Sequence, residues 1–218
     1  MSHSFSVFRP RLFLSLPLLL VWFVCFVVPS LRAGTKTIVF LGDSLTAGYG
    51  LDDPASQAYP ALIQNKIDAA NLSYRVVNAG LSGDTTAGGV RRIDWILRQP
   101  NDLLVLALGG NDGLRGLAPT LSQANLQTII DRLREKNPRV QLVLAGMQMP
   151  ASMGESYAAA FRAMYPALAE KNRAALVPFL LEGVGARPEL NQPDLIHPTA
   201  AGQKLLAENV WKILRPLL

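Results

Sequence analysis

Asp102-Leu103-Leu104-Val105-Leu106-Ala107-Leu108 runs straight into Gly109-Gly110-Asn111-Asp112-Gly113. After its leading Asp the first stretch is wholly apolar and does not alternate. A strand with no polar side is buried on both faces, as in the interior of a parallel sheet. The same pattern recurs along the chain. Residues 37–41, 74–78, 140–145 and 175–179 are further short apolar runs, and Pro178 suits the last to a sheet edge. Between the runs, 59–70, 86–99, 122–136, 157–172 and 199–214 read as helices. Asn137-Pro138 ends the third of these, and Thr199 offers an N-cap to the fifth. Tyr157, Phe161, Tyr165 and Leu168 recur at helical spacing and are expected in the core. Five strands alternating with helices predict an α/β fold, a five-stranded parallel sheet with helices on both faces. In such a sheet the site lies beyond the carboxyl ends of the strands.

Composition narrows the chemistry. The chain has 218 residues, 50% of them hydrophobic and 17% charged, enough for one domain with a substantial core. One Cys excludes a disulfide framework or a Cys-based metal cluster, and two His exclude a His-rich metal site. The net charge is +5, but Arg9, Arg11 and Arg32 lie in a first stretch of 33 residues that holds no acid. The remainder carries 18 basic and 16 acidic residues, so the electrostatic footprint of a nucleic-acid binder is missing. Residues 12–28 are uncharged, Arg9 and Arg11 precede them, and Ala33 is a small residue suited to cleavage. Residues 1–33 therefore read as an export signal, with an uncut membrane anchor as the alternative. The working domain spans 34–218 and is expected outside the cytoplasm, periplasmic or secreted. It contains no Cys, and its single imidazole is His197.

Four blocks carry chemistry. Gly42-Asp43-Ser44-Leu45 follows the first strand, where a strand-to-helix turn exposes both a Ser hydroxyl and its own N–H. That suits a nucleophile whose amide also stabilises an oxyanion, and equally a Ser that caps a helix. Ser82-Gly83-Asp84 follows the second strand, and Gly83 lets a backbone N–H approach a ligand or simply shapes a turn. Asn111 follows the third, as an oxyanion donor through its amide or as an Asx turn. Asp194-Leu195-Ile196-His197 precedes the last helix. There the carboxylate can hold the imidazole tautomer through Nδ1–H, unless His197 is a lone surface residue. Each block alone is ambiguous; together they supply a nucleophile, oxyanion donors, a base and its orienter.

With these blocks in view, the chain resembles the SGNH or GDSL-type hydrolases from about Thr37 to its C-terminus. GDSL, SGD, GGND and DLIH are the matching stretches, and GDSLTAGYG, NAGLSGDTT and LGGNDGLRGL look nearest the bacterial periplasmic branch of thioesterase I, lysophospholipase L1 and arylesterase. The resemblance implies a flavodoxin-like three-layer α/β/α sandwich and acyl transfer through an acyl-enzyme. It implies Ser44 as nucleophile, His197 as base and Asp194 as orienter. The oxyanion hole would be the N–H groups of Ser44 and Gly83 with the Asn111 side chain. No cofactor or metal is implied. Leu195 departs from the family, which often has Gly there, and puts the local loop shape in question.

The expected partner is a small-molecule acyl ester or thioester, with a membrane-lipid substrate also open. Leu114, Leu117, Met147, Met149, Pro150 and Met153 cluster in the loops after strands three and four. They read either as a groove for an acyl chain or as packing beneath the loops. Gly113 and Gly116 flank Leu114-Arg115, so that loop can move over a substrate, and Arg115 meets either an anionic head group or solvent. The rival readings are a carbohydrate O-acetyl esterase and a non-catalytic binding module. Oligomeric state is not legible.

Overall fold

Strand β1 (Lys36–Gly42) lies between β2 (Tyr74–Gly80) and β3 (Leu103–Ala107), and β4 (Gln141–Ala145) and β5 (Ala175–Val177) complete a parallel sheet of order β2-β1-β3-β4-β5. The computed structural model describes residues 1–4 and 34–218. The export segment expected over 1–33 therefore falls, beyond its first four residues, outside the described ones. Gly34–Leu218 forms one unit.

All five residues of β3 are buried, as a strand without a polar side requires. The one polar residue of the opening stretch, Asp102, stands just outside it and accepts from the Thr37 N–H at 2.8 Å. Right-handed crossovers decide where the helices go. The chain steps from β1 to β2 in one direction, then from β2 past β1 to β3 in the other. Helix α3 (Tyr59–Ala69) therefore covers one face, and α4 (Thr86–Ile96) and α6 (Pro119–Lys136) the opposite one. Helix α7 (Glu155–Asn172) packs against α6, and α8 (Ala200–Leu214) returns to pack on α3. The result is an α/β sandwich with a helical layer on each side. Phe161, Tyr165 and Leu168 of the aromatic stripe are buried, and Tyr157 is half-buried.

Several boundaries differ from the sequence reading. Helix α6 begins at Pro119, three residues early, because Pro is well suited to a first helical turn. Strand β5 stops at Val177, before the Pro that cannot donate to a ladder. Thr199 caps α8 as expected, its hydroxyl accepting from the Gly202 N–H. The short helices α1 (Ser44–Ala47), α2 (Pro54–Gln57) and α5 (Gly110–Leu114) were not foreseen, since one turn is too short for a periodic signal.

The register sets the height of the loops. Gly42 is level with Gly80 on one side and with Ala107 on the other. The segments bearing Ser44, Gly83 and Asn111 thus leave the sheet side by side. The strand order reverses between β1 and β3, the switch point at which such sheets open a crevice. Glycine keeps the crevice floor thin, because a Cβ on Gly80 would overlap the Ala47 backbone of α1.

Candidate active site

Asp43 begins the site. It is the N-cap of α1, and its Oδ1 accepts from the Leu45 N–H at 3.1 Å. Ser44 is then the first residue of the helix, so its own N–H has no acceptor within the helix. Gly48, at φ 78°, ends the turn in the left-handed region. The hydroxyl is fixed on the floor of the crevice; it is buried but for an edge.

Ser44 Oγ lies 2.9 Å from His197 Nε2, and His197 Nδ1 lies 2.6 Å from Asp194 Oδ2. Asp194 Oδ1 accepts from the N–H groups of Ile196 (2.9 Å) and His197 (3.0 Å). Burial pushes this carboxyl up, but the hydrogen bonds from the His197 ring and from the two backbone N–H groups outweigh it and hold it down at about 2. Asp194 is thus an anion, able only to accept. Nδ1 must carry the ring proton, which leaves the Nε2 lone pair facing the Ser44 hydroxyl.

The turn carrying His197 is held by Gln192, a residue sequence reasoning missed. Its N–H donates to the His197 carbonyl at 2.7 Å, and its side-chain amide donates to the Tyr49 carbonyl at 2.7 Å. Gln192 so ties the turn to the segment that follows α1. The Tyr49 ring lies against the imidazole, with centroids 4.7 Å apart. Gly50 has no Cβ to collide with the Gln192 amide.

In the loop after β2, Gly83 adopts φ 78° with open space around it, so Gly serves the backbone conformation there. Asn111 Nδ2 donates one hydrogen to the Asp84 carbonyl at 2.9 Å, leaving the second available to a ligand. Arg92, also missed, locks this side. Its guanidinium donates to Asp84 Oδ2 (2.7 Å), to the Ala79 carbonyl at the end of β2 (2.7 Å) and to the Gly42 carbonyl at the end of β1 (2.9 Å). Asp112, fully buried, accepts from the N–H and hydroxyl of Thr86 and pins α5 to the start of α4. Arg115 donates to the Gly83 carbonyl at 3.1 Å.

The loop hydrophobics divide. Met147 and Met149 are buried and fill the space that Gly110 and Gly113 leave beneath α5, so their position is that of packing beneath the loops. Leu114 and Pro150 are exposed, while Leu117 and Met153 are half-buried. Among the described residues no three His, Cys, Asp or Glu side chains are grouped to hold a metal. A surface hollow of about 750 Å³ is lined by Asp94, Arg98, Arg132 and Glu135 at the far ends of α4 and α6. It lies at the opposite edge of the sheet from this cluster.

Asp43 is 2% exposed. Burial pushes its carboxyl up to about 7; the Leu45 N–H and the nearby His197 offset part of that, and the Asp84 carboxylate adds to it. A carboxyl raised on folding favours the folded state while it is protonated, and that preference fades as pH rises toward 7. Asp43→Asn keeps the cap acceptor and removes the charge. Between about pH 4 and pH 7 the wild type should lose stability relative to this variant, by about 4 kcal/mol at the upper end. Denaturant unfolding across that window is the check, and a gap that does not widen with pH would contradict the titration of Asp43.

Residues 40–205 match the GDSL-like Lipase/Acylhydrolase family. The chain is 44% identical to Esterase TesA of Pseudomonas aeruginosa over 202 residues, covering 92% of this chain and 98% of that one. It is 39% identical to Thioesterase 1/protease 1/lysophospholipase L1 of Escherichia coli K12, covering 85% and 86%. The crystal structure of TesA superposes with a TM-score of 0.79 at 44% identity, over 84% of this chain and all of that one. The chain belongs to the GDSL-like lipase and acylhydrolase family, the SGNH hydrolases, and is a serine esterase or thioesterase of that type.

Proposed function

We propose that Ser44, His197 and Asp194 are the catalytic triad of this hydrolase, and that the N–H groups of Ser44 and Gly83 with the Asn111 side chain form its oxyanion hole. The observation that carries this reading is the unbroken chain from Asp194 Oδ2 to His197 Nδ1 (2.6 Å) and from His197 Nε2 to Ser44 Oγ (2.9 Å). Ser44 Oγ attacks the acyl carbon and its proton passes to Nε2. The carbonyl oxygen takes the negative charge, facing the three donors, which act where charge develops. The C–O or C–S bond then breaks, and the imidazolium returns the proton to the leaving alkoxide or thiolate. Water enters, gives its proton to Nε2 and attacks the acyl-Ser44 ester; the acid leaves and Ser44 recovers its proton. Asp194 keeps the imidazole in the competent tautomer and stabilises the transient imidazolium. The substrates are acyl esters or thioesters of the arylester, acyl thioester or lysophospholipid kind.

A serine-directed phosphonate tests the assignment. One phosphonyl group should add to the wild type, at Ser44, with loss of esterase activity, and none should add to Ser44→Ala. Mass spectrometry placing the adduct on another residue would overturn the triad.

We also propose that residues 1–33 direct export and that the enzyme, residues 34–218, works in the periplasm or outside the cell. The order of Arg9 and Arg11, the uncharged run and Ala33 supports this. Among the described residues no helix is long and apolar enough to cross a membrane. N-terminal sequencing of the protein from its own cell should begin near Gly34. An intact Met1 or Ser2 in the membrane fraction would favour an uncut anchor instead.

A further inference from the structure

Leu195 adopts φ 58°, in the left-handed region where a Cβ crowds the following carbonyl oxygen. Its N–H closes a turn onto the Gln192 carbonyl at 2.9 Å. Turns of this kind favour Gly or Asn, and a γ-branched apolar residue is the unusual choice. Core packing does not account for it, because Leu195 is 51% exposed. Ile196 and Tyr49 are exposed beside it. Gln192 links their backbones, its carbonyl accepting from the Leu195 N–H and its amide donating to the Tyr49 carbonyl, and the Tyr49 ring rests on His197. A strained turn thus presents apolar surface to water immediately beside the base.

The chemistry says which part of a substrate meets that surface. His197 Nε2 must reach the leaving oxygen or sulfur to protonate it. The proposed oxyanion donors Gly83 and Asn111 sit on the segments after β2 and β3, joined through the Asp84 carbonyl, with exposed Leu81 and Leu114 near them in the chain. The leaving group therefore lies on the His197 side. Tyr49, Leu195 and Ile196 offer an anionic leaving group no ionic partner, while they remove apolar surface from water.

We propose that Leu195, with Tyr49 and Ile196, forms the contact surface for the leaving alcohol or thiol and makes the enzyme, among the substrate kinds named above, favour apolar leaving groups, aryl or alkyl, over the phosphate-bearing leaving group of a lysophospholipid. This rests on the reading of His197 as the group that protonates the leaving atom. Leu195 is a specificity-determining residue in this account.

The test uses butanoate esters that share one acyl group and differ in the alcohol: phenol and hexanol against glycerol 3-phosphate. Leu195→Gly takes the left-handed conformation freely, and Leu195→Asn takes it while presenting a polar side chain. Active sites are first titrated with the phosphonate, so that rates refer to competent enzyme. In both variants the kcat/KM ratio of phenyl butanoate to the butanoyl ester of glycerol 3-phosphate should fall about tenfold, the scale expected for losing one apolar contact. The melting temperature of Leu195→Gly should not drop. A ratio unchanged from wild type in both variants would overturn the proposal. So would an equal loss on all three esters, or a change that follows acyl length when the alcohol is held constant. Failure of the wild type to take the phosphonate at Ser44 would instead sink the triad, so the two failures are distinguishable.

Discussion

The site depends on the burial of β3 on both faces. A strand with no polar side has to be covered twice, and only a parallel sheet with helices on each side does that. Flanking β1 with β2 and β3 in level register brings three carboxyl ends together, at the place where the strand order reverses. Ser44, the Gly83 loop and Asn111 each leave the sheet from one of those ends. The geometry of the site is thus a consequence of packing first and of side-chain chemistry second.

A second set of interactions keeps the convergence rigid. On one side the Arg92 guanidinium gathers the Gly42 and Ala79 carbonyls and the Asp84 carboxylate, so the loop that holds Gly83 and supports Asn111 cannot drift from the strand ends. On the other side Gln192 fastens the His197 turn to the segment after α1. Both anchors are donors to main-chain carbonyls, and neither needs to touch a substrate. Preorganisation of this kind is what the proposed oxyanion donors require, since little reorganisation then remains when charge develops. Asp43 is the exception to the neutralising pattern. It is a buried carboxyl directly before Ser44 with no cation bonded to it among the described residues, and burial raises its pKa.

Much of this was legible before any coordinates. Ser44, Gly83 and Asn111 sit in short blocks directly after apolar runs, and Asp194 and His197 share one turn, so local spacing was enough to nominate them. Arg92 and Gln192 were not legible, because what defines them is distance in sequence. Arg92 reaches back to Gly42, fifty positions away, and Gln192 reaches Tyr49 across 143. Periodicity failed at α1 and α5, each about one turn long. For Met147 and Met149, apolar character alone could not separate groove from packing. The missing side chains of Gly110 and Gly113 place them beneath α5. Leu195 stood out in the sequence as a departure, but its meaning required its φ and its exposure.

The central claim is that Asp194 holds His197 as the Nδ1–H tautomer with the Nε2 lone pair toward Ser44. Nitrogen NMR of the labelled imidazole reports this directly. At a pH where the ring is neutral, Nδ1 should show a protonated shift with its proton far downfield, and Nε2 the shift of an unprotonated acceptor. Asp194→Asn should abolish that pattern. A wild-type ring protonated at Nε2, or one averaging between tautomers as free imidazole does, would contradict the account.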